Sequence, residues 1–428
     1  MKIKTERRSY AEVAALPLPP HKNPKKPNIF FRTLLKTVSA GDLAATHFVC
    51  RKHGMEKLGK DEPCLILMNH SSFIDLKIVS SVWYPKPFNI VCTSDGFVGK
   101  EWLMRNLGCI PTKKFVTELG LVKDMLYTVR TLKSSILMYP EASYTFDGTA
   151  TPLPDSLGML LKRLNVPVVM IRTHGAFARD PLYNGLRLRK VDVSADMTYL
   201  LSREEIAAKT PDELNGILTE QFTFDNFAEQ RDTGLRIAEP FRAEGLNRVL
   251  YRCPHCNTEG KMQAKDDTVT CTACKKAWLL TENGTMQAKG ENEETEFPHV
   301  PDWYAWEREC VKAELEDGSY ALDVPVDIRM MVNTDAIYEV GEGRLHHDGN
   351  GFVLTGCDGA LTYVQKPLES YSLYADYFWY ELGDMICIGD HKALYYCFPQ
   401  PGCGDVAAKT RLAAEELYKK VKAEKRNH

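Results

Sequence analysis

Two short knuckles, Cys253-Pro254-His255-Cys256 and Cys271-Thr272-Ala273-Cys274, stand 14 residues apart in a chain of 428 residues. Four thiolates at this spacing can surround one ion as a closed tetrahedron, the arrangement of a four-cysteine zinc ribbon. A disulfide or a redox CxxC accounts for one knuckle and not for two. A closed site has no open coordination position and does no chemistry, so the zinc is expected to stabilise a module too short for a core of its own. Residues 251–280 carry a net charge of only +2, which points the ribbon toward a protein partner or a spacer role and away from nucleic acid.

The cluster, with a ribbon expected over 248–282, divides two textures. Between residues 61 and 247, strand-sized apolar runs such as Cys64 to Met68 and Val166 to Ile171 alternate with longer helical stretches. That is the pattern of an α/β sheet flanked by helices. After an acidic polar linker at 283–300, residues 301–428 show short β-type runs separated by Gly, Asp and Asn, then a helix from Val406 to Val421. Seven or so strands with one terminal helix describe a small β-barrel or sandwich with the helix across its open end. The order resembles pleckstrin-homology-like (PH-like) and GRAM-like domains, in topology and through no specific motif. His346 and His347, just before Asp348-Gly349-Asn350-Gly351, are expected in an exposed hairpin turn.

The net charge of −3 hides an asymmetry, since residues 1–60 sum to +9 and the remainder to −12. An acidic body argues against a nucleic-acid protein, while the basic arm suits an anionic membrane surface. The Pro- and Lys-rich residues 16–28 read as an extended, unpaired lead-in. Beyond them Phe30, Phe31, Leu34, Leu35 and Val38 recur at helical spacing. They predict an amphipathic helix, either packed on the next domain or laid on lipid. No apolar run reaches the length of about 20 residues that spans a bilayer, and the first 30 residues lack the continuous apolar core of a signal peptide. The expectation is a cytoplasmic protein, peripheral at the inner face of the membrane.

Asn69-His70-Ser71-Ser72-Phe73-Ile74-Asp75 follows one apolar strand and precedes a helix. The bare spacing of His and Asp is weak evidence, because chance meets it readily; its position carries the weight. Within one helix five residues turn through about 500° and leave the two side chains on opposite flanks. His70 is therefore expected in the strand-to-helix turn, with Ser71 or Ser72 as the N-cap and Asp75 one turn in, facing back to accept the Nδ1 proton. Nε2 is then free to act as a base of near-neutral pKa.

This run, then Gly108-Cys109-Ile110-Pro111-Thr112-Lys113-Lys114, Tyr139-Pro140-Glu141-Ala142-Ser143 and Val166-Pro167-Val168-Val169-Met170, forms four ordered blocks. Through them residues 30–200 resemble the glycerolipid (lysophosphatidate, or 1-acylglycerol-3-phosphate) acyltransferase-like family. The resemblance implies transfer of a fatty acyl group from acyl-CoA or acyl-carrier protein to a hydroxyl of a lysophosphatidate-type or other glycerolipid acceptor. His70 would be the general base and Asp75 its orienting carboxylate, with no acyl-enzyme. Asn69, Lys114, Glu141 and Ser143 would lie on the substrate side, Glu141 binding the acceptor or shaping the site. Cys109 reads as a small buried filler, and His174, just past the fourth block, as a structural histidine or a residue lining the acyl or acceptor channel.

The sequence departs from the family where basic residues are usual. Lys114 stands in place of Arg, Ala142 in place of Gly, Tyr144 in place of Arg, and Ser156 in place of a common Lys. A lysine is a point charge without the arginine fork. Either Lys113, Lys162 or Arg163 makes up the missing charge, or the acceptor is not a phosphate monoester. The rival reading is a lipid- or protein-binding adaptor that keeps the fold with little or no catalysis.

Overall fold

Continuous apolar runs build the first sheet of the computed structural model, which describes residues 2–116 and 118–426. After a short N-terminal strand, Thr5–Arg7 (β1), come Val49–His53 (β2), Leu65–Met68 (β3), Phe88–Thr93 (β4), Cys109–Thr112 (β5), Ser135–Met138 (β6), Val168–His174 (β7) and Ser194–Leu201 (β8). Strands β2 to β8 form one sheet in the order β2-β8-β7-β3-β6-β4-β5. The strands from β7 to β5 are mutually parallel, and β8 runs antiparallel to β7. All four residues of β3 are buried, as expected of a parallel strand covered on both faces. Ile66 and Met68 join Ile78 and Val79 of helix Asp75–Val82 on one side. Leu65 and Leu67 join Met125, Leu161 and Leu214 on the other. Helix Pro211–Gln221 starts at Thr210, whose hydroxyl caps Glu213 N while Glu213 reaches back, the reciprocal cap that Thr210-Pro211-Asp212-Glu213 encodes.

The cysteine knuckles sit on a four-stranded antiparallel sheet of Met262–Lys265 (β9), Thr268–Cys271 (β10), Ala277–Leu280 (β11) and Met286–Ala288 (β12). This module runs past residue 282. Met286 is buried, and Glu296 accepts from Trp278 Nε1 (3.0 Å) and Lys276 Nζ (2.7 Å). Much of the expected 283–300 linker is therefore structure, because its acidic residues find specific donors on the ribbon. Trp278 packs edge-on against Trp303 at 5.0 Å, tying the ribbon to helix Val300–Asp317.

That helix leads into Leu322–Met331 (β13), Ile337–Asp348 (β14), Gly351–Gly356 (β15), Leu361–Gln365 (β16), Tyr374–Asp376 (β17), Met385–Gly389 (β18) and Leu394–Pro399 (β19), followed by helix Ala407–Arg426. The sheet order is β16-β15-β14-β13-β19-β18-β17. Among the described residues its two edge strands, β16 and β17, are not hydrogen-bonded to each other, so this is a curled antiparallel sheet and not a closed barrel. The terminal helix packs on helix Val300–Asp317 and buries Leu412 and Leu417.

Three sequence expectations are corrected here. His346 and His347 lie in β14, ahead of the turn at 348–351. His347 is buried, stacks on Phe352 at 3.7 Å and shares a hydrogen bond with Tyr320 Oη, and burial pushes its pKa down to about 3. The N-terminal lead-in is not unpaired. Within 16–28, residues 21–26 run along the first domain, where Asn89 and Arg105 donate to the carbonyls of Lys25, Lys22 and Asn23; ahead of this stretch, β1 adds in parallel to β14. The amphipathic stripe splits. In helix Ile29–Ala45, Leu43 packs with Ile78 and Val79 of helix Asp75–Val82 and Phe31 is buried beside Trp102, whereas Phe30 (65%), Leu34 (40%) and Val38 (66%) stay exposed.

Candidate active site

β3 ends at Met68, and residues 69–74 turn the chain into helix Asp75–Val82. One carboxylate oxygen holds the turn. Asp75 Oδ2 accepts the backbone N–H groups of Ser71 (2.9 Å) and Ser72 (3.1 Å) and lies 3.1 Å from His70 Nδ1. The helix starts at Asp75 itself, with Ile74 in the cap position and no side-chain cap. Neither Ser71 nor Ser72 is the N-cap, because the first helical residue closes the turn from within and places its charge at the positive end of the helix. Asn69 is buried and bonds to Ser71 Oγ and to Thr173 N and Oγ1. It joins the ends of β3 and β7 and does not line the cavity.

The segment after β6 completes the support. Glu141 is fully buried; Oε2 accepts the His70 backbone N–H at 2.8 Å, and Oε1 accepts the N–H and hydroxyl of Thr151 at 3.2 Å each. Burial pushes its carboxyl up to about 7. Both oxygens thus face the backbone of the turns and not the cavity. Ala142 takes a left-handed φ of 57°, at the position where the resemblance leads one to expect glycine. Ser143 is buried, with a hydroxyl that has no hydrogen-bond partner among the described residues, and it too lies off the cavity wall.

The His70 ring is sandwiched between Tyr139 and Tyr144, each 4.2 Å away by ring centroid. Desolvation holds its pKa below the usual value, with Asp75 opposing the shift. Nδ1 is committed to Asp75, and Nε2 has no hydrogen-bond partner among the described residues. The ring lines a cavity of about 930 Å³. One wall is apolar, made by Ile90, Val91, Leu121, Met125, Met138 and Leu160. Another comes from the C-terminal sheet and carries Tyr371, Tyr374, Asp376 and Trp379. No local pattern announces this second wall, because its residues become neighbours of His70 only through packing between domains.

Lys114 lies in the cavity wall with Nζ 4.0 Å from the Tyr374 ring centroid, and burial lowers its pKa. Of the cations expected to support it, Lys113 donates to His391 O and Lys162 to the carbonyls of Ile206, Ala207 and Lys209, where it caps a helix end. Arg163 lines the cavity from an exposed position. Cys109 is buried, and His174 bridges Asp196 and Glu229 away from the cavity.

The four knuckle cysteines bring their Sγ atoms within 4.8 Å of one another. Cys253–Cys274 and Cys256–Cys271 are each separated by 3.7 Å. A tetrahedral ion with bonds of about 2.3 Å requires edges of about 3.8 Å, so the group fits a closed zinc-type site.

Among curated proteins no sequence matches this chain. The chain is similar to the crystal structure of the 1-acyl-sn-glycerophosphate (LPA) acyltransferase PlsC from Thermotoga maritima, at 14% identity and a TM-score of 0.36, over 45% of this chain and 76% of that one. The model of the family described as Acyltransferase matches residues 49–173, the span that holds His70, Asp75, Lys114 and Glu141. Over that segment the chain carries an acyltransferase-like domain.

Proposed function

We propose that the protein transfers a fatty acyl group from a thioester, acyl-CoA or acyl-carrier protein, to a hydroxyl of a glycerolipid. The observation that carries this reading is His70, whose Nδ1 is held by Asp75 while its unpartnered Nε2 belongs to a ring lining a large, partly apolar cavity. Nε2 takes the acceptor's proton as the oxygen attacks the thioester carbonyl. The tetrahedral intermediate collapses with loss of thiolate, which recovers the proton from the imidazolium. Asp75 stabilises that cation and fixes the ring, and Glu141 fixes the backbone on which the ring is mounted. No side chain becomes acylated. The apolar wall would hold the acyl chain, and the exposed Phe30, Leu34 and Val38 would meet a membrane surface. Zinc in the cysteine cluster would be structural.

Thioester release measured with and without hydroxylated lipid acceptors tests the reading. Acceptor-dependent release that falls roughly 10²–10⁴-fold in a folded His70→Ala protein is expected. Turnover that survives the substitution would show that another group is the base, and no release with any acceptor would leave the adaptor reading standing.

A further inference from the structure

The C-terminal sheet does more than sit beside the acyltransferase domain. Asp95, buried just beyond β4, accepts from Tyr374 Oη (3.0 Å), Trp379 Nε1 (3.2 Å), Tyr380 Oη (3.3 Å) and Tyr396 Oη (3.4 Å). Four aromatic donors from one domain thus converge on a single carboxylate of the other and lock the sheet in place. This latch aims the far side of Tyr374 at Lys114, whose ammonium lies over the ring, and brings Asp376 into the wall of the same cavity.

The electrostatics of that corner are specific. Lys114 makes no hydrogen bond or ion pair among the described residues; its partners are a ring face and the fields of Asp95 and Asp376. Asp376 accepts the backbone N–H of Phe378 at 2.8 Å, and burial raises its pKa while Lys114 opposes the rise. Lys114 therefore feels two carboxyl groups, with the smaller field of Arg411 opposing them. Of the other cations in the cavity wall, Lys77 pairs with Asp42 and Lys113 donates to a carbonyl, while Arg163 lines the wall from an exposed position on helix Leu157–Leu164, apart from the Lys114–Tyr374 pair. A phosphate monoester brings up to two negative charges and is normally met by a fork or several free donors. Placed here, it would meet one ring-covered ammonium and the Asp376 carboxyl in the same wall.

We propose that the C-terminal sheet forms the headgroup wall of the cavity, and that Asp376 with the ring-covered Lys114 selects a hydroxyl acceptor whose head carries no net charge and excludes phosphate monoesters. This rests on the transferase reading for the identity of the ligand, but it concerns binding. The hydroxyls of an uncharged head find Asp376 as acceptor and Lys114 as donor without disturbing the balance of charge.

Binding and turnover are measured separately, so that failure of one is not mistaken for failure of the other. Equilibrium dialysis of the full-length His70→Ala protein uses two hexanoyl probes below their micelle concentrations, monohexanoylglycerol and hexanoyl lysophosphatidate. At least tenfold tighter binding of the uncharged probe is expected, and Asp376→Asn in the same background should narrow that preference several-fold. Equal or tighter binding of the lysophosphatidate would overturn the proposal, as would an unaltered preference in folded Asp376→Asn protein. The unsubstituted comparison stands even if the variant does not fold. Acceptor-dependent thioester release by wild-type protein reports independently on the transferase reading, whichever probe binds better.

Discussion

The ring of Tyr144 packs on that of His70 at 4.2 Å, and Tyr139 covers the other face at the same distance. Two aromatic walls exclude water from the base and lower its pKa. A base works in its neutral form, so a lowered pKa moves the rising limb of the pH–rate profile toward acid. The limb of kcat/KM should lie below the ordinary histidine value of about 6.5. Tyr144→Ser admits water to one face, and the limb should move back toward that value. An unshifted limb would mean that Tyr144 does not set the proton affinity of the base.

Glu141 is coupled to the same residue through the backbone. Its carboxyl is pushed from 4.5 up to about 7 by burial. Below pH 4.5 folded and unfolded chains both hold the proton, and the group contributes nothing to the pH dependence. Between 4.5 and about 7 the unfolded chain ionises while the folded one resists, so stability falls by about 3 kcal/mol across that window. Glu141→Gln should flatten this part of the profile in urea unfolding. An amide has one acceptor oxygen where the carboxylate used two, so a donor from His70 or Thr151 is left facing an NH₂ group. The expected cost is about 1–3 kcal/mol, together with a lower kcat as the His70 mount loosens. A profile as steep as that of the wild type would exclude the raised carboxyl.

How far the site was legible follows from where its signals lie. The β3 strand, the His70–Asp75 turn and the cysteine knuckles are local patterns, and each could be read within about ten residues. Motif membership alone misleads for Asn69 and Ser143, which stand next to reactive positions yet turn into the structure and off the cavity wall. The Tyr374–Asp95 bond joins residues 279 apart, and no local pattern announces it. β1 was hidden for the same reason: three residues, Thr5–Arg7, carry no strand pattern of their own, and their pairing comes only from β14, more than 330 positions away. His347 looked like a turn residue because the Gly349 and Gly351 signals lie within four residues of it, while its own strand continues through Asp348.

Ala142 holds a φ of 57°. Left-handed backbone costs an L-residue with a Cβ about 1–2 kcal/mol, and glycine gives back part of the gain through a more flexible unfolded chain. Ala142→Gly should stabilise the protein by up to about 1 kcal/mol and leave turnover intact, because the change only relaxes the turn beside Glu141. Thermal unfolding checks it. A fall in Tm would show that the methyl group contributes packing that outweighs the backbone strain.

The cysteine cluster makes a separate forecast. Purified protein should contain one zinc per chain by elemental analysis, and a strong chelator should lower Tm. The ribbon is bound to helix Val300–Asp317 through Trp278 and Trp303, and Trp303 Nε1 donates to Arg252 O at 3.0 Å. Loss of metal should therefore raise hydrogen exchange over residues 250–290 first and then along that helix. Protein free of metal with unchanged exchange would remove the structural role.

The last prediction concerns the lipid surface, where the structure alters the balance of forces. The arm's +9, which already counts Glu6 against Lys4 and Arg8, is partly spent on the body: Lys22 pairs with Glu101 and Arg51 with Asp196. Charge paired in this way attracts anionic lipid less than the count of basic residues implies, and what remains is screened by salt. The apolar side chains are a different matter. Phe30, Leu34 and Val38 project from one face of their helix, Trp102 is 70% exposed beside Phe31, and Phe73 and Leu119 are exposed where they line the cavity. Burying each in lipid is worth on the order of 1–2 kcal/mol at about 25 cal/mol per Å². Liposome sedimentation should therefore depend more on these side chains than on salt. Deleting the arm is a poor test, since that would also strip β1 from β14. The triple substitution Phe30→Ser, Leu34→Ser, Val38→Ser leaves the buried face of the helix untouched. It should weaken binding by tenfold or more at physiological salt, whereas raising salt should weaken wild-type binding only a few-fold. Wild-type-like binding by the triple variant, with loss in high salt, would shift the contact from this apolar face to the remaining unpaired lysines.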